Sequence, residues 1–351
     1  MKAWRSGAYG EGGDPADAIG KLVCSDVAVP EPAAGEVQIK VNFAAVNPID
    51  WKLFSGGLHA VAPCIHPYTP GFDIAGTVSK IGDGVVDFAV GDAVCADLGL
   101  VETCTDPAPA AGSCGAFAEF AVAPAAVICK TLGVEDASAA ALPLAGLTAL
   151  QALFTRSGGT FTGDTLGSLK AGDKLLVLGG ATLVGACAVQ LAANAGAVVA
   201  CTASTNTMPD GTTKIDFCRS LGATEVIDYK AAKWAEVLAG EEYDMIFDTV
   251  GVPEDWVDAS KVLKKGREFI SVGTAPPPPH CPNPVRPHHP SHSPHSPPRS
   301  PPRSPHPPRP RPVPHSRPSP TRARECPTHP TPRHNARRTR ARWPSSRPYP
   351  A

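Results

Sequence analysis

A short segment, GGATLVG at residues 179–185, joins a buried apolar run to a helical pattern. Such a turn brings main-chain N–H groups close to a diphosphate at the N-terminus of the following helix. The glycines at its start allow the tight turn, and Gly185 allows the helix to pack closely on the strand. Thr182 and Leu183 stand where further glycines would be most useful, so the strict dinucleotide pattern is absent. An ordinary strand–helix turn with packing glycines is therefore the alternative.

The end of the next apolar strand indicates which nucleotide fits. An NAD site carries an acid roughly 20 residues beyond the glycines, where it binds the ribose hydroxyls. Residues 201–206 read CTASTN and contain no acid. The hydroxyls and the amide of this segment can accommodate a 2′-phosphate, which an acid would repel, and this favours NADPH. Lys214 and Arg219 are the nearest cations that could contact the phosphate. Alternatively, both are solvated helix residues, and this interpretation is favoured for Arg219.

These residues need elements that position them. From residue 170 onward, strands alternate with helices, which predicts βαβ units and a parallel sheet. The predicted strands are 174–178, 197–202, 225–228, 243–248 and 268–272, and the predicted helices are 184–195, 215–221 and 255–265. A helical pattern over 135–156 precedes them.

Residues 1–130 are β-rich, with short apolar stretches at 37–43, 73–81, 92–96 and 115–122 separated by Gly and Asp turns. We therefore predict a compact β-barrel or sandwich domain at 1–134, an α/β domain at 135–274 and a tail at 275–351. The tail holds 27 of the 40 prolines and 14 of the 32 Lys and Arg, with one acid and no glycine. That composition predicts disorder.

Charge divides the chain in the same way. Residues 1–274 carry a net charge of −14 and the tail +13, so nucleic-acid binding is unlikely except through the tail. No apolar run reaches the roughly 18 residues of a membrane span, and residues 1–20 lack the apolar core of a secretory signal. Nine cysteines in the first 274 residues, without a C-x-x-C, favour reduced thiols in the cytoplasm.

A metal site is not expected. Zinc needs converging Cys, His or carboxylate side chains. The first 274 residues contain only His59 and His66, and Cys95, Cys104 and Cys114 match no zinc-ribbon spacing. We predict no bound metal.

Seven segments together resemble the quinone oxidoreductase and enone (alkenal) reductase branch of the medium-chain dehydrogenase/reductase superfamily, which is zinc-free. They lie in order at 32–41, 47–52 (NPIDWK), 70–78 (PGFDIAGTV), 90–94, 115–120, 141–149 (ALPLAGLTA) and 220–229. The resemblance implies a GroES-like substrate domain, a Rossmann domain and NADPH in the cleft between them. It implies hydride transfer to a quinone or an α,β-unsaturated carbonyl.

The resemblance also implies roles for individual residues. Asn47, Asp50 and Thr148 would line the reacting end, although Asp50 could instead cap a turn, and Tyr68 or water could supply a proton. The coenzyme would be held by Gly179, Ala181, Thr182, Leu183, Val184, Gly185, Ser204, Asn206, Tyr229, Val250, Gly251, Val272 and Gly273. Covering a strand edge is the alternative for Tyr229.

The chain departs from the family pattern at Ala275, where the last strand of the parallel sheet should follow. Related proteins often dimerise through that edge, so a homodimer stays open. Two alternatives follow: a catalytically impaired relative, or an interaction protein whose basic Pro-rich tail binds RNA or, through P-x-x-P segments such as 305–308, SH3-like domains.

Overall fold

The computed structural model describes residues 1–59, 64, 66–99, 115–154 and 169–273. The predicted tail, Thr274, Cys104 and Cys114 lie outside the described residues. Within them the strands are β1 (Lys2–Ser6), β2 (Leu22–Asp26), β3 (Glu36–Ala45), β4 (Asp73–Ile81), β5 (Ala93–Asp97), β6 (Phe120–Pro124), β7 (Ile128–Lys130), β8 (Lys174–Leu178), β9 (Val198–Ala203), β10 (Glu225–Asp228), β11 (Tyr243–Asp248) and β12 (Leu263–Ser271). The helices are α1 (Pro15–Gly20), α2 (Pro48–Phe54), α3 (Asp136–Ala141), α4 (Pro143–Phe154), α5 (Leu183–Asn194), α6 (Lys214–Ser220), α7 (Trp234–Val237) and α8 (Pro253–Ala259).

The N-terminal part is built on an antiparallel sheet with strand order β6-β3-β4-β5-β7. Val37 and Ile39 of β3 are fully buried and pack with Ile74 and Val78 of β4. The alternation in β3 predicts this half-buried strand, because successive side chains point to opposite faces of a sheet. The predicted strand at 115–122 is wrong in its bounds, since β6 begins only at Phe120.

The second sheet is entirely parallel, with strand order β10-β9-β8-β11-β12. All six residues of β11 are buried, and four of the five in β8. Helices cover both faces of such a sheet, which explains why these two central strands are buried. This is the Rossmann-type α/β arrangement that the alternating pattern predicts.

Helix α5 connects β8 to β9, and α6 connects β9 to β10, close to the predicted positions. The predicted helix at 255–265 is wrong in its second half. Helix α8 ends at Ala259, and β12 already begins at Leu263. Gly266, which resembles a helix terminator in the sequence, has φ +78° inside β12, where it fits an irregularity in the strand rather than a helix end.

The strand order places the carboxyl ends of β9 and β11 on either side of the end of β8. In open α/β sheets, ligands bind in the crevice at such a switch point. On the other side of β11, β12 has no further partner strand among the described residues. In the part of the chain that the structure covers, no helix combines the length and hydropathy that spanning a bilayer requires.

Candidate functional site

The turn after β8 is held by hydrogen bonds to β9. Gly179 has φ +87°, a conformation that glycine adopts without strain. Its N–H donates to Thr202 Oγ1 at 2.8 Å, and the N–H of Gly180 donates to the Thr202 carbonyl at 2.9 Å. Thr202 is buried. The end of β9 therefore fixes the direction in which the chain leaves β8.

Two glycines in the turn leave no space for a side chain. A Cβ at Gly185 would collide with the carbonyl oxygen of Gly179. A Cβ at Gly180 would lie 2.6 Å from Cys201 Sγ and 3.2 Å from Cys218 Sγ. Both cysteines are fully buried. The predicted packing role of Gly185 matches the close approach of α5 to the end of β8.

Thr182 caps helix α5. Its Oγ1 accepts from the N–H of Gly185 at 2.9 Å and lies 2.9 Å from Thr249 Oγ1. Thr249 donates in turn to the carbonyl of Leu178 at 2.8 Å. Threonine at this position therefore satisfies a helix N–H and ties the turn to the loop after β11.

The first two helical N–H groups, those of Leu183 and Val184, have no acceptor among the described residues. Leu183 is exposed. Helix N-termini carry partial positive charge, and their N–H groups bind phosphate oxygens. The geometry here can hold a diphosphate, as the sequence pattern predicts.

A single carboxylate organises the loops after β11 and β12. Asp248 Oδ1 accepts from the N–H groups of Val250 at 2.9 Å and Gly251 at 3.0 Å. Its Oδ2 accepts from Ser271 Oγ at 2.8 Å, and Ser271 accepts from the N–H of Gly273 at 3.1 Å. A Cβ at Gly273 would collide with Gly251. These backbones therefore lie against each other, bringing two predicted coenzyme loops together.

The residues after β9 reveal a cation that sequence spacing did not single out. Lys230 Nζ donates to Asn206 Oδ1 at 3.0 Å. The predicted Ser204 lies nearby in the chain but is buried, whereas Tyr229 is exposed. Lys230 is 24 residues from Asn206, so only the parallel pairing of β9 with β10 brings them together.

The two cations considered from the sequence differ in their surroundings. Lys214 donates its main-chain N–H to the carbonyl of Asn206 at 2.9 Å and begins helix α6. Arg219 is exposed and pairs with Asp216 at 3.1 Å. The solvated reading of Arg219 therefore agrees with the structure.

In the N-terminal domain, Asn47 and Asp50 form a capping box at the start of α2. Asp50 Oδ2 accepts from the N–H of Asn47 at 2.7 Å, as expected when a carboxylate at the third helical position reaches back. The capping alternative for Asp50 is therefore realised. Both residues are buried, which is unusual for a carboxylate that serves only as a cap.

Asp73 links α2 to α4, and the sequence analysis did not identify it as a site residue. Its Oδ2 accepts from Asn47 Nδ2 at 2.9 Å, and its Oδ1 accepts from the N–H of Leu144 in the first turn of α4 at 2.9 Å. Thr148 lies one turn further along α4, half-buried. Asn47 and Asp50 are thus in contact, while Thr148 is joined to them only through Asp73 and α4.

Burial perturbs both carboxyl groups. Burial raises the pKa of Asp73 to about 7, against hydrogen bonds from Asn47 and Leu144 that favour the charged form. Burial likewise raises the pKa of Asp50 to about 6. Asp97 raises the pKa of both groups further, and Asp50 also raises that of Asp73. Perturbed carboxyl groups of this kind cluster at functional sites.

The described residues contain no group of three or more His, Cys, Asp or Glu arranged for a metal ion. His59 and His66 both lie edge-on to Tyr9. The expectation of a metal-free protein stays a prediction.

Two family models match the chain. The one described as "Alcohol dehydrogenase GroES-like domain" covers residues 33–133, and the one described as "Zinc-binding dehydrogenase" covers 184–289. The "Chloroplast envelope quinone oxidoreductase homolog" of Arabidopsis thaliana is 36% identical over 261 residues, 72% of this chain and 69% of the relative. The chain belongs to the medium-chain dehydrogenase/reductase superfamily. Within it, the chain groups with the quinone and alkenal oxidoreductases.

Two further similarities support this placement of the oxidoreductase. The "NADPH-dependent alkenal/one oxidoreductase, chloroplastic" of Arabidopsis thaliana is 34% identical over 281 residues, 80% of this chain and 64% of the relative. A mycobacterial structure complexed with NADPH superposes with a TM-score of 0.59 at 28% identity, covering 80% of this chain and 77% of the other. The predicted family and fold class are confirmed. The individual site residues stay predictions.

The collision at Gly185 gives a first test on this oxidoreductase. Gly185→Ala should lower the free energy of unfolding by about 1–3 kcal/mol, because the added methyl group forces α5 away from Gly179. Gly146→Ala is the matched control, since a Cβ there meets nothing within 4 Å; helix propensity should leave it neutral or slightly stabilised. Urea unfolding of both variants measures this. Equal stabilities would contradict the close packing.

Asp73 gives a second test. Its raised pKa means that the folded state binds the proton more tightly than the unfolded state does. The resulting stability is complete below the ordinary value of 3.8 and is lost as pH rises through about 7. Asp73→Asn should therefore flatten the decline of unfolding free energy over that range.

The control is Asp210→Asn, at an exposed turn where the amide oxygen can still accept from Thr212. Chemical unfolding at a series of pH values compares the two variants with the native protein. A native profile that Asp73→Asn leaves unaltered would contradict the assignment of the raised pKa to Asp73.

Proposed function

We propose that this chain is an NADPH-dependent oxidoreductase that transfers hydride to a quinone or an α,β-unsaturated carbonyl without zinc. One observation carries the proposal: the N–H groups of Leu183 and Val184 at the start of α5 have no acceptor within residues 1–59, 64, 66–99, 115–154 and 169–273, and the strand order opens a crevice there. The names of the relatives, quinone oxidoreductase and NADPH-dependent alkenal/one oxidoreductase, supply the reaction class.

The charged and polar groups at the coenzyme end of the site suit NADPH. The segment Ala181–Val184 would hold the diphosphate with main-chain N–H groups, as the cradle of Gly179 and Gly185 permits. No acid stands at 201–206 to bind a free ribose hydroxyl. Asn206 and Lys230 instead offer an amide and a cation, which suit a 2′-phosphate, and Ser204 and Tyr229 would complete this side.

The nicotinamide end would lie against Val250, Gly251, Val272 and Gly273. The backbones of the two glycines are in close approach, and Val250 is exposed, so a flat ring can contact main chain and one valine. When bound, NADPH supplies the hydride. The protein has to align donor and acceptor and exclude water, which is where most of its catalytic contribution lies.

The substrate end would be lined by Asn47, Asp50 and Thr148. Asp73 positions the first two relative to the third, because it accepts from Asn47 and from the first turn of α4. A carbonyl oxygen that gains charge during hydride transfer needs nearby donors. The Thr148 hydroxyl is the group on α4 that could donate to it.

The remaining expectations stay predictions. The tail, with its suggested RNA or SH3-like partners, lies outside the described residues. A homodimer has no support beyond the unpaired side of β12 in the described part of the sheet. Plant relatives are named for the chloroplast, so the expected cytoplasmic location stays a prediction too. A catalytically impaired relative remains the alternative to an active enzyme.

Lys230 provides a test of coenzyme choice. Lys230→Ala should weaken NADPH binding about tenfold and leave NADH binding unchanged, because the lost cation faces only the 2′-phosphate. Arg219→Ala is the matched control, since its guanidinium already pairs with Asp216. Titration of coenzyme fluorescence measures both affinities. A parallel loss of NADPH and NADH affinity would contradict this assignment.

Turnover tests the activity itself. The full chain should oxidise NADPH in the presence of quinones or α,β-unsaturated ketones and aldehydes, and should fail with the corresponding saturated carbonyls. The saturated compounds are the control, because they lack the electrophilic β-carbon. Absorbance of NADPH reports the rate. Binding of NADPH without turnover on any acceptor would favour the impaired relative, and absence of binding would reject the proposal.

A further inference from the structure

One oxygen of the Asp50 carboxyl group is left without a partner. Asp50 is 1% exposed. Its Oδ2 accepts from the N–H of Asn47, but its Oδ1 is buried with no hydrogen-bond partner among the described residues. The main-chain amides of Phe72 and Gly71 lie near enough to favour the charged form. A buried polar atom of this kind calls for an explanation such as a water molecule or a functional role.

A small cavity lies beside this carboxyl group. It is lined by Asp50 and Leu53 of α2, by Tyr68 and Thr69, and by the segment 70–72 that leads into β4. Its volume of about 10 Å³ holds about one water molecule. Polar groups on its wall, the Asp50 carboxyl and the side chains of Tyr68 and Thr69, are of the kind that hold such a water.

We propose that Asp50 is the proton store of this oxidoreductase: its neutral carboxyl group delivers, through one water molecule in the cavity, the proton that the α-carbon of an enone substrate needs after hydride transfer. The proposal rests on the proposed function and names a role for Asp50 beyond its helix cap. Asp50 acts through the water, so it is a positioning and proton-holding residue.

The charges around Asp50 favour its neutral form. Burial raises its pKa most, and Asp97 at the end of β5 raises it further. The carboxyl group of Asp73 on β4 interacts with Asp50, which raises the pKa of Asp73. Lys52, on α2 itself, is a half-buried cation, and Tyr68 faces the cavity from the segment before β4. Burial holds the pKa of Asp50 at about 6, so a useful fraction carries a proton near neutral pH.

Asp73 cannot serve in the same way, although burial raises its pKa further. Both of its oxygens accept hydrogen bonds, one from Asn47 and one from Leu144, and Asp73 does not line the cavity. Asp50 is thus the only one of the two carboxyl groups with an oxygen available to the cavity.

The wall of the cavity packs against the helix that carries Thr148. Tyr68, Leu53 and Phe72 belong to one apolar cluster, against which Leu144 of α4 packs. Helix α4 carries Thr148 and packs on α5, whose N-terminus forms the coenzyme turn. Through Leu144, the cavity wall therefore contacts the helix on which the proposed substrate-end residue Thr148 lies.

The step balances in atoms and electrons. Hydride adds to the β-carbon and its electron pair becomes the new C–H bond, so the enone becomes an enolate. The Asp50 O–H bond breaks as its proton passes to the water, and the water gives one of its own protons to the α-carbon. Asp50 is left as a carboxylate and regains a proton from solvent before the next turnover.

The experiment compares two acceptors in Asp50→Asn. The amide oxygen can still accept from Asn47, so the cap is kept while the acidic proton is lost. Turnover with an enone should fall about 100-fold. Turnover with a quinone should fall much less than turnover with an enone, because the hydroquinone anion takes its proton on oxygen directly from solvent. Asp136→Asn, which replaces a surface carboxylate that accepts from Asn42, should match the native protein with both acceptors.

The pH profile separates this role from a structural one. In the native protein, enone turnover should decline as pH rises above about 6, and Asp50→Asn should abolish that decline. A carboxylic acid C=O infrared band that titrates in the coenzyme-free protein and disappears in Asp50→Asn would support the store independently of activity.

Each outcome decides between the hypotheses. Equal losses with enone and quinone, or an enone profile that is flat in the native protein, would overturn the proton store while leaving the proposed function standing. The native profile alone decides the matter should Asp50→Asn fail to fold. Absence of NADPH oxidation with every acceptor would instead defeat the proposed function.

Discussion

The close approach of helix α5 to the end of β8 is the constraint on which the coenzyme site depends. Gly185 lies so near the carbonyl oxygen of Gly179 that no Cβ fits between them. This approach aims the helix N-terminus into the crevice, where two N–H groups have no acceptor in the described part of the chain. Helix termini with such N–H groups are typical phosphate-binding positions, which is the basis of the proposed diphosphate site.

A second constraint links the two domains through Asp73. One buried carboxyl group receives a hydrogen bond from Asn47 at the start of α2 and another from the start of α4. Since α4 packs on α5, the positions of Asn47 and Asp50 are linked to the helix that begins at the proposed coenzyme turn. The energetic cost is the burial of a group whose pKa rises to about 7, and the same burial gives the neighbouring Asp50 its altered acidity.

Local patterns were sufficient for much of the fold. Strands β8, β10 and β11 begin and end where the sequence predicts. Strands β8 and β11 are almost entirely buried, as expected for parallel strands covered on both faces. Helix α8 is shorter than predicted, since the apolar residues near Leu263 serve a strand and Gly266 bends it. Residues 263–265 form a strand because β12 pairs with β11. A local sequence pattern does not show which distant strand a segment pairs with.

The site was less accessible to sequence reasoning for the same reason. The turn residues are contiguous, so their pattern was visible. Lys230 and Asp73 act on Asn206 and Asn47, residues far away in the chain, and nothing in their own neighbourhoods distinguishes them from ordinary surface or strand residues. An Asp within PGFDIAGTV could have drawn notice, because a charged residue at the start of an otherwise apolar strand usually has a buried partner.

Asp248 has a consequence for motion in the crevice. The two oxygens of its carboxylate accept hydrogen bonds from the loop after β11 and from the side chain of Ser271 at the end of β12. Both loops are therefore attached to one side chain and move together. A displacement of either loop therefore strains hydrogen bonds to the same carboxylate, so contact of a ligand with one loop also displaces the other.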